Sequence, residues 1–372
     1  MRWLGEVKDQ IEERLFQGRR DLFTELSLAF FDTTSLYFEG QGGESLGRYG
    51  HSKDHRPDLK QLVLGAVLTQ EGRPLASEVW PGNHTDASAS GGLPVVDRLR
   101  ERFGLRQVCW VADRGMISQG TIQALEERGL QYILGARMRR QREVRDAVLG
   151  RAGRYQEVAG EPPSIRVKEV WVEGHRYVVC HNPEEAAKDA GDREAILQAL
   201  EEQLQQGALQ LIGNRGFRRY LRVEKGAHSI DARKVAAEAR YDGKFVLRTN
   251  APLSAAETAL RYQRLLLVEQ FFRGIKSVLQ TRPIFHQWDA TIRGHVFCSF
   301  LALVLVDELQ RRLAARGWKL EWDVICQDLE ALAQVEVRDG EQWYHLRTAL
   351  QGVTGKVLQA AGVAIPPPVK PA

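Results

Sequence analysis

Up to about residue 136, apolar positions fall in short runs rich in β-branched and aromatic residues; after Pro252 they recur at helical spacing. The charged N-terminus to about residue 25 predicts helix, and Leu26 to Phe38 a strand. The polar, glycine-rich stretch Gly40 to Asp58 reads as a loop. Leu59 to Asp86 predicts a hairpin turning near Glu71 and Gly72. A helix is expected over Ala87 to Phe103, then a strand ending at Asp113. Ser118 is placed to cap a helix running to Arg128, and QYILGA follows as a strand. The order strand, strand, strand, helix, strand, helix, strand predicts a mixed α/β layer, an antiparallel meander with parallel additions.

Between 137 and 250 the pattern becomes strand-rich, as in SIRVKEVWVEGHRYVVCHN and KFVLRTN, with one helix over Pro183 to Gln206. This predicts an inserted β-rich subdomain. After Pro252 the chain is expected to be helical through Arg312, and the tail IPPPVKPA to be unstructured. The resulting division is a helical N-terminal remnant (1–25), a first core segment (26–136), the insertion (137–250), a second core segment (251–312) and a C-terminal region (313–372).

Three carboxylates break apolar surroundings. Asp32 lies inside FFDTTSLYF, Asp113 ends QVCWVAD, and Glu269 sits in LLLVEQFFRG. An isolated buried carboxylate is costly, so such groups are paired, protonated or bound to metal. A divalent cation would let all three stay ionised together. Oxygen-only ligation favours Mg²⁺, with Mn²⁺ able to replace it, and two such ions can assist phosphoryl transfer.

DTTSLYFEG, GRYGHSKDHRPDLKQLVLGAVLTQEGRPLASEVWPGNHTD, VADRGMIS and YQRLLLVEQFFRGIKSVLQTRPIFH, in that order, resemble the DDE transposases of the IS4 superfamily, particularly the IS1634 group. The resemblance runs from about residue 26 to 310. It implies an RNase H-like (retroviral integrase-like) core with a β-rich insertion and C-terminal helices, and it makes Asp32, Asp113 and Glu269 the catalytic, metal-binding residues. It also implies a signature of Tyr, Arg, Glu and Lys around the Glu. Tyr262 and Lys276 lie seven residues either side of Glu269, but the Arg position is Leu265. Tyr262, Arg273 and Lys276 become candidate DNA-binding residues, with Arg273 and Lys276 on the Glu269 face. Expected partners are double-stranded DNA, namely terminal repeats and target, and a second copy of the chain. No membrane partner is expected.

Composition changes this picture little. The 372 residues are 43% hydrophobic and 27% charged, which excludes disordered and fibrous classes. The formal charge is only +4, yet RMRRQREVR and NRGFRRYLR concentrate arginine. Each run is either a polyanion-binding patch or a solvated face. Four scattered cysteines without a CxxC pair indicate neither zinc ribbon nor disulfide framework, and the charged N-terminus reads as no signal peptide, so a cytoplasmic location is expected. HSKDH reads as a loop near DNA or a structural turn, not a zinc site, because Arg56-Pro57 disfavours helix there. GNHTD reads as a turn capping the next helix, Trp171 as core or a base-stacking residue, and His286 and His295 as structural. Two other functions remain open: an idle, truncated DNA-binding derivative, suggested by the 31 residues before Asp32, and an RNase H-like nuclease acting on host nucleic acid.

Overall fold

The computed structural model describes every residue except 20–27, 85–93, 95–96, 99, 104–107, 115–117, 159–164, 207–214, 225–226 and 372. Its centre is a mixed sheet. Strands β1 (Leu28–Tyr37), β2 (Gln61–Thr69) and β3 (Pro74–Pro81) form the expected antiparallel meander. Strands β4 (Cys109–Ala112) and β5 (Gln131–Gly135) add parallel to β1. The sheet continues through β11 (Lys244–Thr249), β8 (His175–His181), β7 (Ile165–Val172) and β6 (Gln156–Val158), giving the order β3-β2-β1-β4-β5-β11-β8-β7-β6. The strand-rich segment after residue 137 therefore extends this sheet, while β9 (Leu221–Glu224) and β10 (Ala227–Ile230) pair apart from it.

Both faces of the central strands are covered, and so β2 is buried nearly throughout. Side chains alternate along β1. Phe31 packs on one side with Val67, Trp110, Ile122 and Leu125. Phe30 and Leu36 pack on the other with Val268, Phe272, Ile275 and Phe300. Asp32 has the parity of Phe30, which places it on the face covered by the helix Leu266–Arg273. Gly72 turns the β2–β3 hairpin at φ +77°, a left-handed conformation that favours glycine.

The expected helical stretch from Pro252 to Arg312 is interrupted. Helices Ala255–Gln263 and Leu266–Arg273 run into a π-helical turn, Gly274–Val278, and helix resumes at Asp289–Ala314. Between them Pro283 has no N–H to give a helix, and Ile284 instead makes a bridge to Phe38 beyond the end of β1. The long helix Asp289–Ala314 has the length and apolarity to cross a membrane, with mean hydropathy 1.5 over its best stretch. Here Val296, Phe297, Phe300 and Val304 are buried in the chain's own core.

The tail also departs from expectation. Val369–Pro371 forms β14 beside β13 (Gln342–Arg347), which pairs with β12 (Gln334–Asp339). Proline fits there because an edge strand does not need every N–H. The expected helix over Ala87–Phe103 lies largely outside the described residues, although 97–98 and 100–103 are helical.

The helix Lys8–Arg19 docks on β3 through Glu12, which is fully buried. Its carboxylate accepts from the Ser77 amide at 3.0 Å, Lys8 Nζ at 2.9 Å and Arg102 at 3.3 Å. Burial raises the Glu12 pKa despite Lys8, Ser77 and Arg102, which pull it down. With the folded value above the unfolded one, this group's stabilising contribution is full below the unfolded value and is lost as pH rises through the folded value. The Tm advantage of wild type over Glu12→Gln is therefore expected to shrink as pH rises above the ordinary glutamate value of 4.5. A difference constant with pH in parallel melts would contradict it.

Candidate active site

Register brings the first two carboxylates together. Phe30 pairs with Val111 on neighbouring parallel strands, so Asp32 and Asp113, each two residues further on, emerge side by side on one face. Adjacent strands are about 4.8 Å apart. Asp32 is largely buried, and its Oδ1 accepts from the Thr33 amide at 2.7 Å. Lys53 Nζ stands 3.7 Å from the same oxygen.

Asp113 follows the last residue of β4, and its Oδ1 accepts from the Tyr262 hydroxyl at 2.9 Å. Room for that hydroxyl comes from Gly135, because a Cβ there would fall 2.4 Å from it. The Tyr262 ring also stacks on Phe245, with centroids 5.8 Å apart. Its pKa is pushed well up, first by burial, then by the charge and hydrogen bond of Asp113; Asp32 adds to this and Arg114 opposes it. Tyr262 thus stays a neutral donor to Asp113.

Glu269 comes from the helix Leu266–Arg273. Leu265, Val268, Phe272 and Ile275 turn into the core, and Glu269, one turn from both Leu265 and Phe272, is exposed at the edge of that face. Asp113 and Glu269 line one cleft of about 400 Å³ together with Arg114, Gly135 and Tyr262. Arg273, one turn on, is also exposed but lines a different cleft with Leu267, Gln270 and Phe271. Leu265, at the signature's Arg position, is buried; Arg264 reaches the Gln70 carbonyl at 3.4 Å.

Lys276 is held within the protein. Its Nζ donates to Asp54 Oδ1 at 2.7 Å, and Arg282 binds the same oxygen. Burial lowers the Lys276 pKa, against the pull of Asp54. The HSKDH loop therefore belongs to the site: Lys53 Nζ also donates to the Thr33 carbonyl at 2.6 Å and hydroxyl at 3.0 Å. Sequence reasoning missed Lys53 and Asp54. The one local signal was a Lys-Asp pair in a polar loop, with nothing to indicate its partners.

Trp171 is 54% exposed near the tip of the β7–β8 hairpin, not in the core, because its position on β7 alternates with the inward-facing Val170 and Val172. Its Nε1 donates to Glu169 at 2.9 Å. His286 and His295 contact each other, with centroids 5.0 Å apart. The basic run is partly neutralised, Arg139 by Glu238 and Arg145 by Asp146.

The acids are of the kind that holds a hard divalent cation, being oxygen donors only. Among the described residues no three His, Cys, Asp or Glu side chains are drawn together, but Mg²⁺ needs only one or two carboxylates beside waters and phosphate oxygens, and Asp32 and Asp113 adjoin.

The site is a carboxylate pair on adjoining parallel strands of a mixed α/β sheet, with a third carboxylate on a helix packed over the same face. The chain belongs to the transposase DDE domain family, whose model matches residues 24–305. Among solved structures it is similar to the piggyBac transposase synaptic complex with hairpin DNA, at 11% identity and TM-score 0.38, covering 80% of this chain and 50% of that one. It is also similar to the Mos1 transposase paired-end complex with left transposon end, at 13% identity and TM-score 0.21, covering 35% and 41%. The chain spans about half the length of the piggyBac chain. No curated protein matches it.

Proposed function

We propose that this chain is a DNA transposase of the IS4 superfamily, IS1634-like group, that cuts and rejoins DNA at insertion-element ends. The observation that carries this reading is the register-matched pair Asp32 and Asp113 beneath the Glu269 helix, in a chain of the transposase DDE domain family. The order β3-β2-β1-β4-β5, antiparallel then parallel, supports an RNase H-like core made of 26–136 and 251–312, with 137–250 inserted.

Asp32, Asp113 and Glu269 would hold two Mg²⁺ or Mn²⁺ ions. The ions, when bound, supply activation of the attacking oxygen and stabilisation of the leaving one. The chain's own residues set the stage. Tyr262 fixes the orientation of the Asp113 carboxylate, and Thr33 and Lys53 fix that of Asp32. Arg114 lies at the cleft with Asp113 and Glu269, where a cation can attract a DNA phosphate. Arg273 and Lys276 remain candidate DNA contacts, and two copies of the chain would hold two ends.

An idle DNA-binding derivative is the rival reading, since among the described residues no three donor side chains are gathered. One experiment separates them. A plasmid carrying the gene's flanking DNA is incubated with the protein and Mg²⁺ or Mn²⁺. Cleavage at the element boundary that requires the metal is expected; binding without cutting would establish the idle form, and cutting without regard to the boundary a general nuclease.

A further inference from the structure

Two consecutive loop residues reach opposite sides of the site. Lys53 holds the strand that carries Asp32: its Nζ donates to the Thr33 carbonyl and hydroxyl, and its amide donates to Ser35 Oγ at 2.8 Å. Asp54 holds the segment that follows Glu269. Its carboxylate is 6% exposed, and one of its oxygens takes both Lys276 and Arg282. The other oxygen is buried with no hydrogen-bond partner among the described residues.

A carboxylate is buried in this way only where cations compensate it. These cations come from the π-helical turn Gly274–Val278 and from the non-helical stretch before Asp289. The π-helical turn continues directly from the helix that carries Glu269, so its position sets that helix's position. Successive Cα atoms are about 3.8 Å apart, so Lys53 and Asp54 form a short link between β1 and this segment.

We propose that Asp54 is a positioning residue: by clamping Lys276 and Arg282 to the loop whose Lys53 grips β1, it fixes Glu269 relative to Asp32. The inference rests on the transposase reading for its consequence in catalysis, but not for the clamp itself. It gives Lys276 a role inside the protein. It also accounts for HSKDH, which has metal-ligand residue types but no metal-ligand geometry.

The test compares wild type with Asp54→Asn, which keeps shape and removes charge. Hydrogen–deuterium exchange on the protein alone is expected to quicken over residues 269–282 and to stay unchanged over β4 and β5. Single-turnover cleavage at saturating DNA is expected to fall about 100-fold, the scale of a misplaced catalytic group, while DNA affinity shifts less than about threefold. Unchanged exchange over 269–282 overturns the clamp. Quickened exchange with cleavage at saturating DNA still within about threefold of wild type leaves Asp54 merely structural and overturns the positioning role. If wild type binds DNA without cutting it, the transposase reading fails and exchange alone decides the clamp. Should Asp54→Asn not fold, Arg282→Met, which keeps the Lys276 pair, is read by the same exchange with the same two outcomes.

Discussion

Asp32→Asn is expected to lower metal-dependent DNA cleavage by at least about 10³-fold, the scale on which removal of one member of a catalytic set acts. The fold should survive. Asparagine has the same shape, its carbonyl oxygen can still accept from the Thr33 amide, and Lys53 keeps its bonds to the Thr33 carbonyl and hydroxyl. DNA affinity should stay the same or rise slightly, because a negative charge is removed from beside a polyanion. What is lost is the negative charge of an oxygen donor next to Asp113, and a neutral amide oxygen holds a hard cation more weakly than a carboxylate does. Asp113→Asn and Glu269→Gln are expected to behave alike. The check is cleavage of the flanking-DNA plasmid beside a melting curve and a binding titration for each variant. Near wild-type cutting by Asp32→Asn would remove it from the site.

Much of the arrangement beneath that prediction was legible in the sequence. The first five strands are short, apolar and bounded by turn residues, so their order and approximate ends followed from pattern alone. Ser118 caps its helix as its residue type and place suggested, accepting from the Thr121 amide at 3.1 Å. A lone acid in an apolar strand also singled out Asp32.

The rest depended on contacts between residues far apart in the chain. Lys276 meets Asp54 across 222 positions, and no periodicity encodes such a pair. The same holds for Tyr262, whose spacing from Glu269 was noted but whose bond to Asp113 was not. Helical periodicity after Pro252 hid the break at 279–288, because the residues on either side share the same core and continue the same apolar pattern. β14 was missed for another reason: a proline-rich tail has no pattern of its own, and its pairing is supplied by β13.

The Tyr262 contact leads to a prediction that depends on shape. Gly135 is not among the positive-φ glycines, so alanine can adopt its backbone conformation, but its Cβ would lie 2.4 Å from the Tyr262 hydroxyl oxygen, 3.1 Å from the Arg114 amide nitrogen and 3.2 Å from the ring carbon that bears the hydroxyl. The tip of the side chain must move, and the bond to Asp113 is broken with it. Such overpacking costs about 1–3 kcal/mol of stability. Cleavage is expected to fall about 100-fold, because Tyr262 lies just ahead of the helix that carries Glu269 and its displacement disturbs two of the three acids. Tyr262→Phe alone loses the hydrogen bond but leaves the ring on Phe245, and should cost about tenfold. Combining the two removes the nearest atom that Cβ strikes and leaves only the ring carbon at 3.2 Å and the Arg114 amide nitrogen at 3.1 Å to give by a few tenths of an ångström. The double variant should therefore recover most of the way to the level of Tyr262→Phe, a non-additive outcome of the kind found for residues in contact. Single-turnover rates and melting temperatures of the four proteins make the comparison. Additive losses would mean that Gly135 and Tyr262 act separately and that the glycine is not there to admit the hydroxyl.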